Sequence, residues 1–206
     1  MTMRRADVTG VILCGGSARR FAGRDKPLAL LRGSMLVEHV RDRLAPQVER
    51  VVISCNRNMD VYRRWGDTVV TDAVPERGPL GGLLAGMQAA TTPYLFVCPG
   101  DAPLLPSTLV ERLARAVDGR AADVAYPHDG ERPQHLFLLV RRDAVDRVRR
   151  FLDGGGRAVH QWVEQMRSVS IDARADRDAF VNVNSASDLV QLNAAVQPRQ
   201  RHRYRR

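Results

Sequence analysis

The chain has 206 residues, 44% of them hydrophobic and 27% charged, with a net charge of +9. That length and balance fit one globular domain with a substantial core, and the purely apolar runs, such as residues 28–31, are far too short for a membrane-spanning helix. Five arginines in residues 197–206 carry over half of the charge, and without them the net charge is +4.

Apolar strand-like runs alternate with helix-like stretches. Residues 8–13 read as a buried strand, followed by a glycine-rich turn at Gly15 and Gly16. Residues 34–45 read as a helix, 51–54 as a second strand, 59–65 as a short helix, and 68–71 as a third strand ending at Asp72. Residues 80–90 form a helix entered through glycines, and 94–98 a fourth strand that runs into Pro99, Gly100 and Asp101. A helix is expected over 106–117, with Pro106 or Ser107 near its start.

Residues 123–127 and 136–140 read as a hairpin around the turn His128-Asp129-Gly130. Helices over 142–152 and 158–166 follow, then a strand over 168–171 and a strand-like Val181-Asn182-Val183-Asn184. Ser185 opens a last helix, with Asp188 three residues on in a capping-box pattern. The βα rhythm predicts an α/β fold of three layers, helices on both faces of a mostly parallel sheet, plus a small hairpin region. A single domain over residues 1–196 and a disordered basic tail over 197–206 are expected. Such sheets bind ligands at the carboxyl ends of their strands, where the Gly15-Gly16 turn, Asn56, Asp72 and Asp101 fall.

Lys26 is the only lysine; the other 31 of the 32 basic residues are arginine. It follows Asp25 at the end of the glycine-rich stretch. Lysine is a compact point charge, arginine a bulky planar fork, so a lone lysine there suggests a narrow site for one ammonium, such as between phosphates. The alternative is chance survival on the surface. The turn is neither a G-x-G-x-x-G fingerprint nor a P-loop. Its glycines allow close backbone approach to a phosphate chain, with Arg20 and Lys26 as cations.

Asp101 caps the next loop or ligates a metal, and the nearby loop favours the ligand, with Mg²⁺ the suited ion. For Asp72 the same two readings are open. Gly78-Pro79-Leu80-Gly81-Gly82 is a helix start, or a cradle for a nucleotide base or ribose. Asn182 and Asn184 are turn and cap residues, or a polar pair facing a ligand. Cys14, Cys55 and Cys98 match neither a zinc nor a redox spacing and read as small buried hydrophobes in a reducing compartment. With no apolar leader-like run near Met1, a cytoplasmic location is expected.

The order Leu-x-Gly-Gly, Arg-Arg, Asp-Lys, Gly-Pro-Leu-Gly-Gly, Pro-x-Asp-x-Pro and Asn-Val-Asn resembles the nucleotidyltransferases of glycosyltransferase-A-like α/β fold. It is most similar to the molybdenum cofactor guanylyltransferase family, from about residue 8 to 193, with Phe180-Val181-Asn182-Val183-Asn184 the most specific part. The resemblance implies that Leu13, Cys14, Gly15, Gly16, Ser54, Asp72, Gly78, Pro79 and Leu80 contact GTP, as do Lys26 and Asp101. It implies that Arg20, Lys26 and Asp101 serve catalysis, with Asp101 on Mg²⁺. Arg132, Pro133, Arg157, Asn182 and Asn184 are then placed toward the pterin.

The chain departs from the family pattern at Cys14 and Ala22, usually Ala and Gly, and at Ser54, where relatives carry asparagine. The implied reaction transfers GMP from GTP to the phosphate of molybdenum-molybdopterin with loss of pyrophosphate. Contacts with a molybdopterin-loading protein and molybdoenzyme chaperones are implied too, with no membrane partner. Two other readings stand beside it. One is a cytidylyltransferase or sugar-phosphate nucleotidyltransferase of the same fold. The other is a non-catalytic nucleotide-responsive adaptor that uses the arginine tail on nucleic acid.

Overall fold

A computed structural model describes residues 3–15, 25–72 and 77–195. In chain order the elements are β1 (Val8–Leu13), β2 (Leu30–Leu31), β3 (Ser34–Met35), α1 (Leu36–Leu44), β4 (Arg50–Ser54), α2 (Met59–Tyr62), β5 (Thr68–Val70), α3 (Pro79–Ala89), β6 (Tyr94–Pro99) and α4 (Leu109–Arg120). They continue with β7 (Val124–His128), β8 (Leu138–Arg141), α5 (Val145–Asp153), α6 (Val159–Glu164), β9 (Ser168–Asp172) and α7 (Ala186–Ala195). Seven strands make one sheet in the order β5-β4-β1-β6-β8-β7-β9. β8 alone runs against its neighbours, pairing antiparallel with both β6 and β7. β2 and β3 form a separate two-stranded ribbon.

The period-2 alternation of each strand sends side chains to two cores, one on each face. Ile12, Ile53, Phe96, Ala125 and Leu139 face α1 and α4, meeting Val40, Leu44, Leu109 and Leu113. Val11, Val52, Leu95, Val97 and Val140 face α3, α5 and α6, meeting Leu80, Leu83, Val148 and Trp162. This is the expected three-layer arrangement, since strands buried on both faces are apolar at nearly every position. α3 lies close on β1 through small residues: a Cβ on Gly86 would come within 2.8 Å of Val11, and one on Gly82 within 2.8 Å of Leu13.

Several boundaries differ from the sequence reading. Ser34 and Met35 belong to the ribbon, so α1 starts at Leu36. The ribbon turns through Arg32 (φ 52°) and Gly33 (φ 84°), the two left-handed residues of a tight hairpin turn. The short helix after β4 stops at Tyr62, and the strand ending in the Asp72 segment stops at Val70.

α4 starts at Leu109 and not near Pro106, because the preceding residues make a turn (Leu109 N donates to Pro106 O, 3.3 Å) and Gln47 Oε1 accepts from Val110 N (3.1 Å). A 3-10 turn over Arg142–Ala144 precedes α5. Residues 123–140 do hold an antiparallel pair, Val124 opposite Val140, but a long loop joins the strands in place of a tight turn. The Val181–Asn184 stretch is not a strand. Its Val183 N–H donates to Asp101 O (2.9 Å), which ties it to the end of β6. Ser185 and Asp188 form the expected capping box: Asp188 accepts from Ser185 N (2.9 Å), and Ser185 Oγ accepts from Asp188 N (3.1 Å). The arginine tail, 197–206, lies outside the described residues.

Candidate active site

The parallel register levels four strand ends. Leu13 is opposite Ser54 and Pro99, and Ser54 is opposite Val70. The residues just beyond these ends, Cys14 and Gly15, Asn56, Asp72 and Asp101, therefore share one edge of the sheet. The chain leaves β1 through α1 toward β4 on one side and enters β6 from α3 on the other. β1 and β6 thus flank the point where strand order reverses, where open α/β sheets place their ligands.

A cavity of about 260 Å³ opens there, walled by Gly15, Lys26, Pro79, Asp101, Leu136 and Asn182, with Leu13 and Cys14 beneath. Lys26 Nζ donates to Asn184 Oδ1 (2.7 Å) and lies 3.4 Å from Asp101 Oδ2. The lysine and aspartate side chains are 23% and 14% exposed, so the pair is largely shielded from water. Burial pushes the Asp101 carboxyl up, and the adjacent Lys26 ammonium pulls it back only in part. A cation beside it thus relieves a carboxylate short of solvation. Asn182 lines the same cavity, and its Oδ1 is buried with no hydrogen-bond partner among the described residues. A buried acceptor without a partner is costly in an empty protein and is accounted for when a ligand supplies the donor.

The other expected residues divide by position. Gly15 lines the cavity, and Cys14 N donates to Ser54 O (2.7 Å), fixing the start of the loop. Cys14 is buried, in keeping with the small-hydrophobe reading, and burial raises its thiol far above the ordinary value, which disfavours the thiolate. Gly16, Arg20 and Ala22 lie outside the described residues.

Pro79 reaches the cavity, but Leu80 is fully buried in the core and does not wall it. Gly78, at φ 65° and ψ −157°, holds a conformation that favours glycine at the start of α3. Ser54 is buried against α3, its Oγ 2.9 Å from where a Cβ on Gly82 would be, and it does not wall the cavity. Asn56 is held locally: its Oδ1 accepts from Asp72 N (3.0 Å). The Asp72 carboxylate lies against the first turn of α3, near the positive end of the helix.

A Cβ on Gly81 would fall 1.8 Å from Asp72 Oδ2. Gly81→Ala is therefore expected to displace that carboxylate and raise KM for the nucleotide about tenfold with little change in Tm. Steady-state kinetics and a thermal melt check this, and an unchanged KM would contradict it.

On the other flank, the loop between β7 and β8 is built around Asp129. Its Oδ1 accepts from Arg132 N (2.7 Å) and Glu131 N (2.8 Å), and its Oδ2 from Gln134 Nε2 (2.6 Å). The Arg132 and Glu131 amides, with Gln134, hold this carboxyl down to about 2 against its desolvation. A depressed carboxylate stabilises the fold above its unfolded value, near pH 4, and that contribution disappears as pH falls toward 2. Asp129→Asn should flatten the fall of Tm with pH in that window, measured as a melt series. A slope equal to wild type would remove Asp129 as a cause.

Arg132 and Pro133 stand exposed on this loop, off the cavity wall. Arg157 donates to Leu152 O (2.8 Å) and Gly156 O (2.6 Å), closing the end of α5, with its own carbonyl beside Gly78. Asp25, Pro27, Pro99 and Leu136 line the cavity without having been picked out as contacts. Asp25 could have been found from the Asp-Lys dipeptide. Leu136 could not, because only the reversal of β8 brings it to this edge. Burial raises the Asp25 carboxyl, which accepts from Asn58 Nδ2 (3.2 Å). Among the described residues no group of three or more His, Cys, Asp or Glu is placed to hold a metal ion.

Comparison with known proteins fits this geometry. Residues 10–169 match the family model of the MobA-like NTP transferase domain. The chain belongs to that family. It is 40% identical over 191 residues to a molybdenum cofactor guanylyltransferase of Cupriavidus necator, covering 90% of this chain and 96% of that one. It is 38% identical over 183 residues to the protein of the same name from Mannheimia succiniciproducens, covering 88% and 96%. The fold matches the crystal structure of molybdopterin-guanine dinucleotide biosynthesis protein A from Archaeoglobus fulgidus, with a TM-score of 0.75 at 22% identity, over 90% of this chain and 97% of that one. The MobA-like chain described here is thus a nucleotidyltransferase whose cavity sits at the edge its fold prescribes.

Proposed function

We propose that this protein transfers GMP from GTP to the terminal phosphate of molybdenum-loaded molybdopterin, forming the guanine dinucleotide cofactor and releasing pyrophosphate. The observation that carries the reading is the juxtaposition of Lys26, Asp101 and Asn182 around one cavity, with Asn184 bonded to Lys26, in a chain about 40% identical to proteins named for that activity.

In the reaction an oxygen of the acceptor phosphate forms a bond to the α-phosphorus of GTP. The bond from that phosphorus to the α,β-bridging oxygen breaks, and the electron pair leaves with pyrophosphate. The nucleophile is already an anion, so no general base is needed, and catalysis rests on alignment and charge neutralisation. The backbone of residues 13–15 cradles the triphosphate, and the Lys26 ammonium turns from Asp101 and Asn184 toward the phosphates. Pro79 and Gly78 bound the nucleoside side, while Asn182 and Asn184 bound the acceptor.

Mg²⁺ suits the donors present: it takes one or two carboxylates, keeps waters and fills its remaining positions with phosphate oxygens. Asp101, a solvent-starved carboxylate in the same cavity wall as Asn182, would hold it, and the ion would supply neutralisation of the triphosphate charge.

One nucleotidyltransferase domain over 1–196 with a separate basic tail, a cytoplasmic setting, and hand-over to a molybdopterin-loading protein and molybdoenzyme chaperones belong to the same proposal. No helix among the described residues is long and apolar enough to cross a membrane. The test is pyrophosphate release with molybdenum-loaded molybdopterin, Mg²⁺ and each nucleoside triphosphate in turn. GTP alone is expected to support turnover. Equal or faster turnover with CTP would assign the protein to cytidylyl transfer instead.

A further inference from the structure

The segment carrying Asn182 and Asn184 is clamped at two points. Upstream, Val183 N donates to Asp101 O (2.9 Å). Downstream, one oxygen, Asp188 Oδ2, accepts from both Asn184 N (2.7 Å) and Ser185 N (2.9 Å). Between the clamps the Asn184 side chain has little freedom. Its Oδ1 accepts from Lys26 Nζ, and its Nδ2 leans on Asn182 O (3.4 Å). Ser185 Oγ accepts from Asp188 N, bonds Ser187 Oγ (2.7 Å) and also lies against the Asp188 carboxylate, so the serine secures the start of α7 and steadies that carboxylate.

We propose that Asp188 is a positioning residue: through the backbone amide of Asn184 it sets where the Lys26 ammonium sits in the cavity. A capping-box acid normally serves only its own helix. Here the same carboxylate oxygen also fixes the residue that holds a lysine 158 positions earlier in the chain. The assignment rests on the transfer reaction proposed above for the role of Lys26. The link from Asp188 to Lys26 is a matter of geometry and can be read without turnover.

The single lysine makes the test direct. With ¹⁵N-lysine incorporated, the full-length protein gives one side-chain ammonium resonance, that of Lys26. Asp188→Ala should shift or broaden this signal and lower kcat/KM by roughly ten- to a hundredfold, the range expected when a catalytic group is displaced by about an ångström. Asp188→Asn, whose amide oxygen can accept the same two N–H groups but which drops a charge that also acts on Lys26, should restore kcat/KM and leave only a small part of the signal shift. Ser185→Ala loosens the α7 cap but keeps both backbone N–H bonds to Asp188 Oδ2, so it should lower Tm and move the ammonium signal clearly less than Asp188→Ala does.

A Lys26 resonance at the wild-type position in folded Asp188→Ala would overturn the proposal, as would equal shifts in Asp188→Ala and Ser185→Ala. Should wild type fail to transfer GMP while the resonance still responds to Asp188, the functional reading falls and the positioning link stands.

Discussion

Asp101→Asn is expected to lower GMP transfer by roughly 10³-fold or more, because it removes a carboxylate that pairs with Lys26 in the cavity and is the donor suited to Mg²⁺. The same variant should melt no lower than wild type in the absence of ligand. The Asp101 pKa is raised in the folded protein, chiefly by burial. A carboxyl with a raised folded pKa favours the fold at acid pH, and that benefit is lost as pH rises through the folded value, so at neutral pH its charge opposes folding. Asparagine keeps the shape and drops the charge, while Lys26 retains Asn184 as a partner. Kinetics at saturating GTP and Mg²⁺, beside a thermal melt, check both halves. Wild-type turnover by the variant would remove Asp101 from the reaction.

Lys26→Arg should cost nearly as much, about 10²- to 10³-fold in kcat/KM, although the charge is conserved. The site presents two oxygens to a single ammonium, Asn184 Oδ1 at 2.7 Å and Asp101 Oδ2 at 3.4 Å. A planar guanidinium is larger and spreads its donors in a fixed fork, so it cannot occupy the same point between them and then turn to phosphate. In a chain whose other 31 basic residues are all arginine, this is also the one basic position where arginine is absent. Activity within threefold of wild type would show that only the charge matters.

How much of this was legible in the sequence depends on whether the governing contact was local. The strands were readable because both faces of the sheet are covered, which makes runs such as residues 94–98 and, apart from Thr9, 8–13 almost continuously apolar. The ends of those runs then marked Gly15, Asp72 and Asp101 as edge residues, and the structure brings Gly15 and Asp101 to one cavity with Lys26.

Val181 to Asn184 was misread because its alternation has the period of a strand. Its backbone is instead engaged by Asp101 O and by the α7 cap, contacts made across the fold. The start of α4 was misplaced for the same reason: its orphan N–H is met by Gln47, 63 residues away. The β2–β3 ribbon was missed although its signal, Arg-Gly between Leu-Leu and Ser-Met, was local. Ser54 and Leu80 were expected at the nucleotide, yet the close approach of α3 to β1 and β4 buries both side chains.

The most direct measurement uses GTP labelled at one phosphorus. Wild-type protein is incubated with Mg²⁺, molybdenum-loaded molybdopterin and GTP carrying ³²P at either the α or the γ position, and the products are separated. The account predicts α-label in the pterin dinucleotide and γ-label in pyrophosphate, with neither transfer in Asp101→Asn or Lys26→Arg above a small residue. Label from the γ position in the pterin product, or release of γ-label as inorganic phosphate, would place bond cleavage elsewhere in the triphosphate and contradict the assignment.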